Sequence, residues 1–345
     1  MKRALFVGGY GLVGSNAVRT LRSLDQDVEI LIAGRRPELG EAPAKEVGSA
    51  RTAFFDSEDA RTCLEGLGSI DLVVSTVSDL DDKLALLAMQ QGISHIGIAR
   101  TSQDVAPFLM AASRSAVQSS AAVFGHWQAG AMTLAAVDLA RRLAIVDAVR
   151  LTAIFDPLDA VGPLAREDVE KFPDRAIVRS SGQWAYVDRS SNASEVEFPD
   201  GTRFHCRPVD VLDVPSVALA TGARDVSFAI GVGESLGRRR GSSPSHELHI
   251  EASGTQADGT LASLVRIVSA PRGQGWLTGH TIGQAACRLL DLDGHGPSPS
   301  GPVWPETLLD CERFLQSLRA AGVEIQDFVF PKNPEDHDRG SLARE

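Results

Sequence analysis

The sequence predicts an α/β fold: an N-terminal Rossmann-type doubly wound parallel sheet, then a second α+β domain with a mixed or antiparallel sheet. Three observations carry this. The first is Gly9-x-Gly11-x-x-Gly14 directly after the apolar run Ala4-Leu5-Phe6-Val7. The second is β-α-β order, since Ala17, Val18, Leu21 and Leu24 mark one helix face and Val28-Glu29-Ile30-Leu31-Ile32-Ala33 follows as a strand. The third is a change near Ala148, beyond which short strand-like runs replace alternating strand and helix.

The glycine turn has the make-up of a dinucleotide site. Gly9 permits the bend, Gly11 lets the backbone approach a pyrophosphate, and Gly14 lets helix and strand pack closely. Tyr10, Leu12 and Val13 complete the turn, and the free N–H groups of the helix start face the phosphate. The second strand ends at Gly34-Arg35-Arg36. An acidic residue there would take the ribose 2′-hydroxyl of NAD; two arginines suit a 2′-phosphate, so NADP(H) is the expected cofactor.

Thr52-Ala53-Phe54-Phe55-Asp56 reads as a third strand, with Asp56 either beside the adenine or capping the helix that begins near Ser57. Ile70 to Ser75 is nearly unbroken apolar sequence, as in a parallel strand buried on both faces. Ser75, Thr76 and Val77 at its carboxyl end are expected along the ribose and nicotinamide. Helix Asp81 to Gln91, strand Ser94 to Ala99, helix Ser102 to Val117 and strand Ala121 to Gly125 complete a sheet of about six strands. The next turn carries His126, the one histidine placed at a strand end facing the cleft, before a helix over Met132 to Leu143.

Beyond Ala148, strands are expected at Val149–Phe155, Gln183–Val187, Val196–Phe198, Thr202–Cys206, Val226–Val232, Glu247–Ala252 and Leu261–Ser269. The alternation of His249 and Glu251 with Leu248, Ile250 and Ala252 suits an antiparallel sheet with one face covered, the other being open to a second copy in a homodimer. Helix returns at Thr278 to Leu290, a Gly/Pro/Ser linker runs to Pro302, and one more helix spans Pro305 to Ala320. The resulting division is 1–126 for the nucleotide-binding domain, 127–275 for substrate and dimerisation, 276–330 for returning helices, and 331–345 for a disordered tail.

A net charge of −11 over 345 residues argues against nucleic acid as a partner. No stretch of eighteen apolar residues suggests a membrane span. The four cysteines, Cys63, Cys206, Cys287 and Cys311, are scattered without metal-ligand spacing, so no metal is expected and the thiols suit a cytoplasmic protein.

Two blocks resemble the saccharopine dehydrogenase-like family: Gly8-Gly9-Tyr10-Gly11-Leu12-Val13-Gly14 with Ala33-Gly34-Arg35, and Leu277-Thr278-Gly279-His280 through Gly301-Pro302-Val303-Trp304-Pro305-Glu306 to Leu318 and Gly322. The resemblance covers both ends and little of the middle. It implies a Rossmann domain, a crossing into a mixed α/β domain, and a return of the chain to the first. It also implies a pyridine-nucleotide reductase, commonly acting on a carbon–nitrogen double bond. The chain is short for the lysine-pathway enzymes, and its five lysines lie in no cleft-like stretch. A short-chain dehydrogenase needs Tyr-x-x-x-Lys, whereas the two tyrosines here are Tyr10, in the glycine turn, and Tyr186, followed four residues on by Ser190.

The expected chemistry is hydride transfer from NADPH to an imine or iminium of a small amine-derived substrate. His126 or Tyr186 would supply a proton where one is needed, and Asp156 would stabilise a cationic substrate. Enoyl reduction in an elongated apolar cleft is one alternative. A non-catalytic NADP(H)-binding sensor or partner protein is another.

Overall fold

A computed structural model describes residues 1–98, 102–114, 119–163, 173–198 and 200–331. Its strands are β1 (Arg3–Val7), β2 (Glu29–Gly34), β3 (Ala50–Phe54), β4 (Leu72–Ser75), β5 (Ser94–Gly97), β6 (Ser120–Val123), β7 (Ile145–Phe155) and β8 (Arg175–Ser180). The later strands are β9 (Gln183–Asp188), β10 (Ser194–Glu197), β11 (Arg203–Pro208), β12 (Asp225–Val232), β13 (His246–Thr255), β14 (Leu261–Ala270), β15 (Gly301–Val303) and β16 (Glu324–Pro331).

The first sheet is parallel, in the order β15-β6-β5-β4-β1-β2-β3. Alternate residues of its central strands enter two cores, which is why these strands read as unbroken apolar runs. Leu5, Val7, Leu31 and Val73 pack with Leu64, Leu84 and Ala88. Phe6, Ile30, Ile32 and Val74 pack with Val18, Leu21, Ile282 and Ala286 on the other side. The sheet has seven strands, one more than expected: β15 lies in the stretch read as a linker and pairs with β6 from Gly301↔Ser120 to Val303↔Ala122.

The second sheet has the order β10-β11-β12-β7-β13-β14-β16, with β8 joined to β12 and β9 to β8. It is mixed, because β7 and β12 run parallel while β13, β14 and β16 alternate. Its main core packs Val149, Leu151, Leu248, Ile250 and Leu264 against Leu134, Val217 and Phe314 from helices Ala131–Ala140, Asp213–Thr221 and Cys311–Ala320. The opposite face is not left wholly to a second copy, since Ile154 and Ile267 are buried there with Phe198, Phe204, Cys206 and Leu236 of the same chain.

Other boundaries differ for local reasons. Asp81 and Asp82 have φ of 61° and 58°, so the helix expected from Asp81 begins at Lys83. Asp79 accepts from Leu84 N and Ala85 N, both at 3.0 Å, and so fixes its first turn. The helix placed at Thr278 begins at Gly273 and runs to Leu289. The final helix divides into Pro305–Leu308 and Cys311–Ala320, where Asp310 caps the second by accepting from Arg313 N at 2.8 Å. Strands β8 and β16 and helix Asp213–Thr221 were not anticipated. Residues 115–117, Ala99, residues 164–172 and the tail beyond 331 lie outside the described residues.

Candidate functional site: a dinucleotide turn beside a polar junction

The carboxyl end of the parallel sheet gathers most of the residues singled out for a nucleotide. Gly8 N donates to Ala33 O at 2.8 Å, Gly9 N to Phe6 O at 3.1 Å, and Gly11 N to Gly8 O at 2.9 Å, which closes the turn. Helix Leu12–Leu24 opens after Gly11 with no side-chain cap, leaving its positive end available to an anion. Gly14 is required by close approach: a Cβ there would lie 2.7 Å from the Gly9 Cα.

Ser75, Thr76 and Val77 are folded against the same turn. Thr76 donates to Val7 O through its N–H at 3.0 Å and its hydroxyl at 3.1 Å, while the Ser75 hydroxyl donates to Val77 O at 3.2 Å. Thr76 and Val77 side chains cover Gly8. At the end of β2, Gly34 touches the Tyr10 ring. Arg35 and Arg36 are exposed and form no ion pair or side-chain hydrogen bond with the described residues. Asp56 accepts from Glu58 N at 3.2 Å and so caps the short turn Ser57–Asp59.

The three residues assigned to catalysis are not brought together. Tyr186 is 59% exposed on β9, which pairs with β8 at the far edge of the second sheet. Asp156 is fully buried: Oδ1 accepts from Leu158 N and from the Arg238 guanidinium, each at 3.0 Å, and Oδ2 from Ser235 N at 2.9 Å. Burial alone would push its pKa up, but these donors outweigh it and hold the carboxyl at about 2. His126 does lie at the strand end, buried, with Nε2 2.8 Å from Ser216 Oγ. Burial lowers its pKa to about 3, so the ring is neutral near pH 7.

His126 belongs to a polar junction that sequence reasoning missed. After β6 the chain makes a left-handed turn, with φ of 52° at Gln128, 54° at Ala129 and 98° at Gly130, a conformation costing about 1–3 kcal/mol at a non-glycine residue. The turn brings three segments together. Trp127 N donates to Asp213 Oδ2 at 2.6 Å, and the Thr133 hydroxyl to Asp213 Oδ1 at 2.7 Å. Trp127 Nε1 donates to His246 Nε2 at 3.0 Å, and the Gln128 amide lies 3.2 Å from the same nitrogen. The Gln128 carbonyl accepts from the Thr278 hydroxyl. Because an indole N–H only donates, His246 Nε2 must accept, which makes His246 a neutral imidazole with its proton on Nδ1. Burial lowers its pKa to about 3. Burial raises that of Asp213 to about 7, with the charge of Glu306 adding to the effect. No local pattern marks Gln128, Asp213 or His246, since their partners lie about 80 to 150 residues away.

Among the described residues no group of histidine, cysteine or acidic side chains is placed to hold a metal, and no helix is long and apolar enough to cross a membrane.

A parallel Rossmann-like sheet joined to a mixed sheet, with the chain returning to complete both, defines an α/β fold of two sheets. The particular version is the saccharopine dehydrogenase-like fold. Apo saccharopine dehydrogenase (L-Glu forming) from Saccharomyces cerevisiae superposes with a TM-score of 0.71 at 13% identity, over 96% of this chain and 100% of that one. Homospermidine synthase from Legionella pneumophila, solved in complex with NAD, gives 0.66 at 11% identity, over 100% of this chain and 94% of that one. No family model matches the sequence, and no curated protein matches it.

Proposed function

We propose that this protein is an NADP(H)-dependent oxidoreductase that reduces a carbon–nitrogen double bond, an imine or iminium, in a small amine-derived substrate. The observation that carries the cofactor half is the pairing of an uncapped helix N-terminus behind Gly9-x-Gly11-x-x-Gly14 with Arg35 and Arg36 at the end of β2, which have no partner among the described residues. The fold shared with a dehydrogenase and an NAD-bound synthase supports a nicotinamide dinucleotide in that place. The four free cysteines agree with a reducing cytoplasmic setting.

The bound nicotinamide would supply the hydride, and the protein supplies binding and orientation. Gly11 and the first turn of helix Leu12–Leu24 would hold the pyrophosphate, Arg35 and Arg36 the 2′-phosphate, and Ser75 to Val77 the nicotinamide side. Neutral His126 is not an acid at pH 7, and Asp156 is already committed to Arg238. These commitments favour a substrate that arrives as a preformed iminium, which takes hydride at carbon while its π electrons pass to nitrogen and needs no proton at that step.

The test is a fluorescence titration of NADPH and NADH, repeated with Arg35→Ala. NADPH should bind at least about tenfold more tightly, about 1.4 kcal/mol, and the variant should lose that preference. NADPH consumption is then followed with cyclic imines and with amine plus carbonyl pairs. If neither nucleotide binds, the turn serves packing alone and the oxidoreductase reading fails.

A further inference from the structure

The end of β2 carries a second feature, which rests on the NADP(H) reading above. Gly34 stands where a ribose-binding acidic side chain would project, yet its φ is not positive, so backbone conformation does not call for glycine. Tyr10 calls for it. A Cβ on residue 34 would lie 2.5 Å from the Tyr10 hydroxyl oxygen, 2.8 Å from Cε1 and 2.9 Å from Cζ. The half-buried ring therefore lies across the strand end, and a side chain at residue 34 would have to displace it.

Its hydroxyl makes no hydrogen bond to the described residues, and neither guanidinium of Arg35 and Arg36 has a partner there. Three donor groups without an acceptor among the described residues thus belong to one strand end and the glycine turn packed on it. A phosphate monoester, with three acceptor oxygens and close to two negative charges, satisfies such a set with charge-assisted hydrogen bonds; a ribose diol, whose oxygens also accept, carries no charge to match the two guanidiniums. We infer that Tyr10 is a specificity-determining residue: its hydroxyl donates to the 2′-phosphate alongside Arg35 and Arg36, and its ring bars the carboxylate by which NAD would be chosen.

The parent chain, Tyr10→Phe and the double variant Tyr10→Ala/Gly34→Asp are titrated with NADPH and NADH, with 2′,5′-ADP and 5′-ADP as competing probes. Tyr10→Phe should weaken NADPH and 2′,5′-ADP about tenfold, in the range of one hydrogen bond to a charged group, and leave NADH and 5′-ADP unchanged. The double variant should reverse the preference toward NADH. A Tyr10→Phe protein that melts like the parent and keeps the parental NADPH-to-NADH ratio overturns the role of Tyr10, even if Arg35→Ala abolishes the preference. Failure of the parent to bind either nucleotide overturns the cofactor reading beneath it.

Discussion

Asp213 shows how one buried carboxyl can shape pH dependence. It titrates at 3.8 in an unfolded chain and is pushed to about 7 in the fold. Between those values the folded state keeps a proton that the unfolded chain has released, so this group lowers stability as pH rises from about 4 to about 7. His126 and His246 act in the opposite sense, because both stay neutral in the fold down to about 3 and stability is lost as pH falls through 6.5. The difference between parent and Asp213→Asn isolates the carboxyl. The variant's advantage in urea midpoint should grow from pH 5 to pH 8, since the amide still accepts from Trp127 N and donates to Thr133. Asp213→Ala, which leaves the Trp127 N–H without an acceptor, should cost about 1–3 kcal/mol relative to Asp213→Asn at either pH. Asp156 titrates with the sign of the histidines: held at about 2, it adds stability above about pH 4 that disappears as pH falls toward 2. None of this is legible in sequence, because an aspartate reveals its burial only through distant partners, whereas Gly9, Gly11 and Gly14 act through neighbours within the same turn.

At the scale of elements, the return of the chain depends on a glycine stripe. Helices Leu12–Leu24 and Gly273–Leu289 run parallel with Gly275 on Leu12, Gly279 on Asn16 and Gly283 on Thr20. A Cβ on Gly279 would lie 2.7 Å from Val13 O and 2.9 Å from Ala17 N, so a larger residue must push the helices apart. Gly279→Leu should lower stability by about 1–3 kcal/mol and lower the melting temperature. Because helix Leu12–Leu24 carries the glycine turn at its start, the same variant should weaken NADPH binding more than an equally destabilising change in the second sheet. The β-α-β start was legible because strand, turn and helix are set by residues close in sequence. Strand β15 was not: Gly301-Pro302-Val303 has no strand signature and extends only because β6 offers it a free edge. Helix Asp213–Thr221 was hidden likewise, since Pro215 reads as a connector until it is seen within the first helical turn.

On the scale of the molecule, the last segment is common property of both sheets. After helix Gly273–Leu289 the chain adds β15 to the parallel sheet, lays helix Cys311–Ala320 on the second core, and adds β16 to the mixed sheet. One buried cation records that dependence. Arg266, 3% exposed on β14, donates to both carboxylate oxygens of Asp327 on β16 at 2.8 Å, and to Asp138 at 2.7 Å. Removing Asp327 leaves Arg266 with only part of its compensation in a site where breaking a pair costs about 3–5 kcal/mol. A chain ending at Leu290 loses much more: β6 and β14 become open edges, and the core loses Phe314, Leu315 and Leu318. It nevertheless retains Gly9 to Gly14, Arg35, Arg36 and Ser75 to Val77, every residue assigned here to the nucleotide. If the two sheets fold as one cooperative unit, this truncated chain should lose near-ultraviolet circular dichroism and NADPH binding together. If it still binds NADPH with parental affinity, the parallel sheet folds by itself and the returning segment stabilises the second sheet alone.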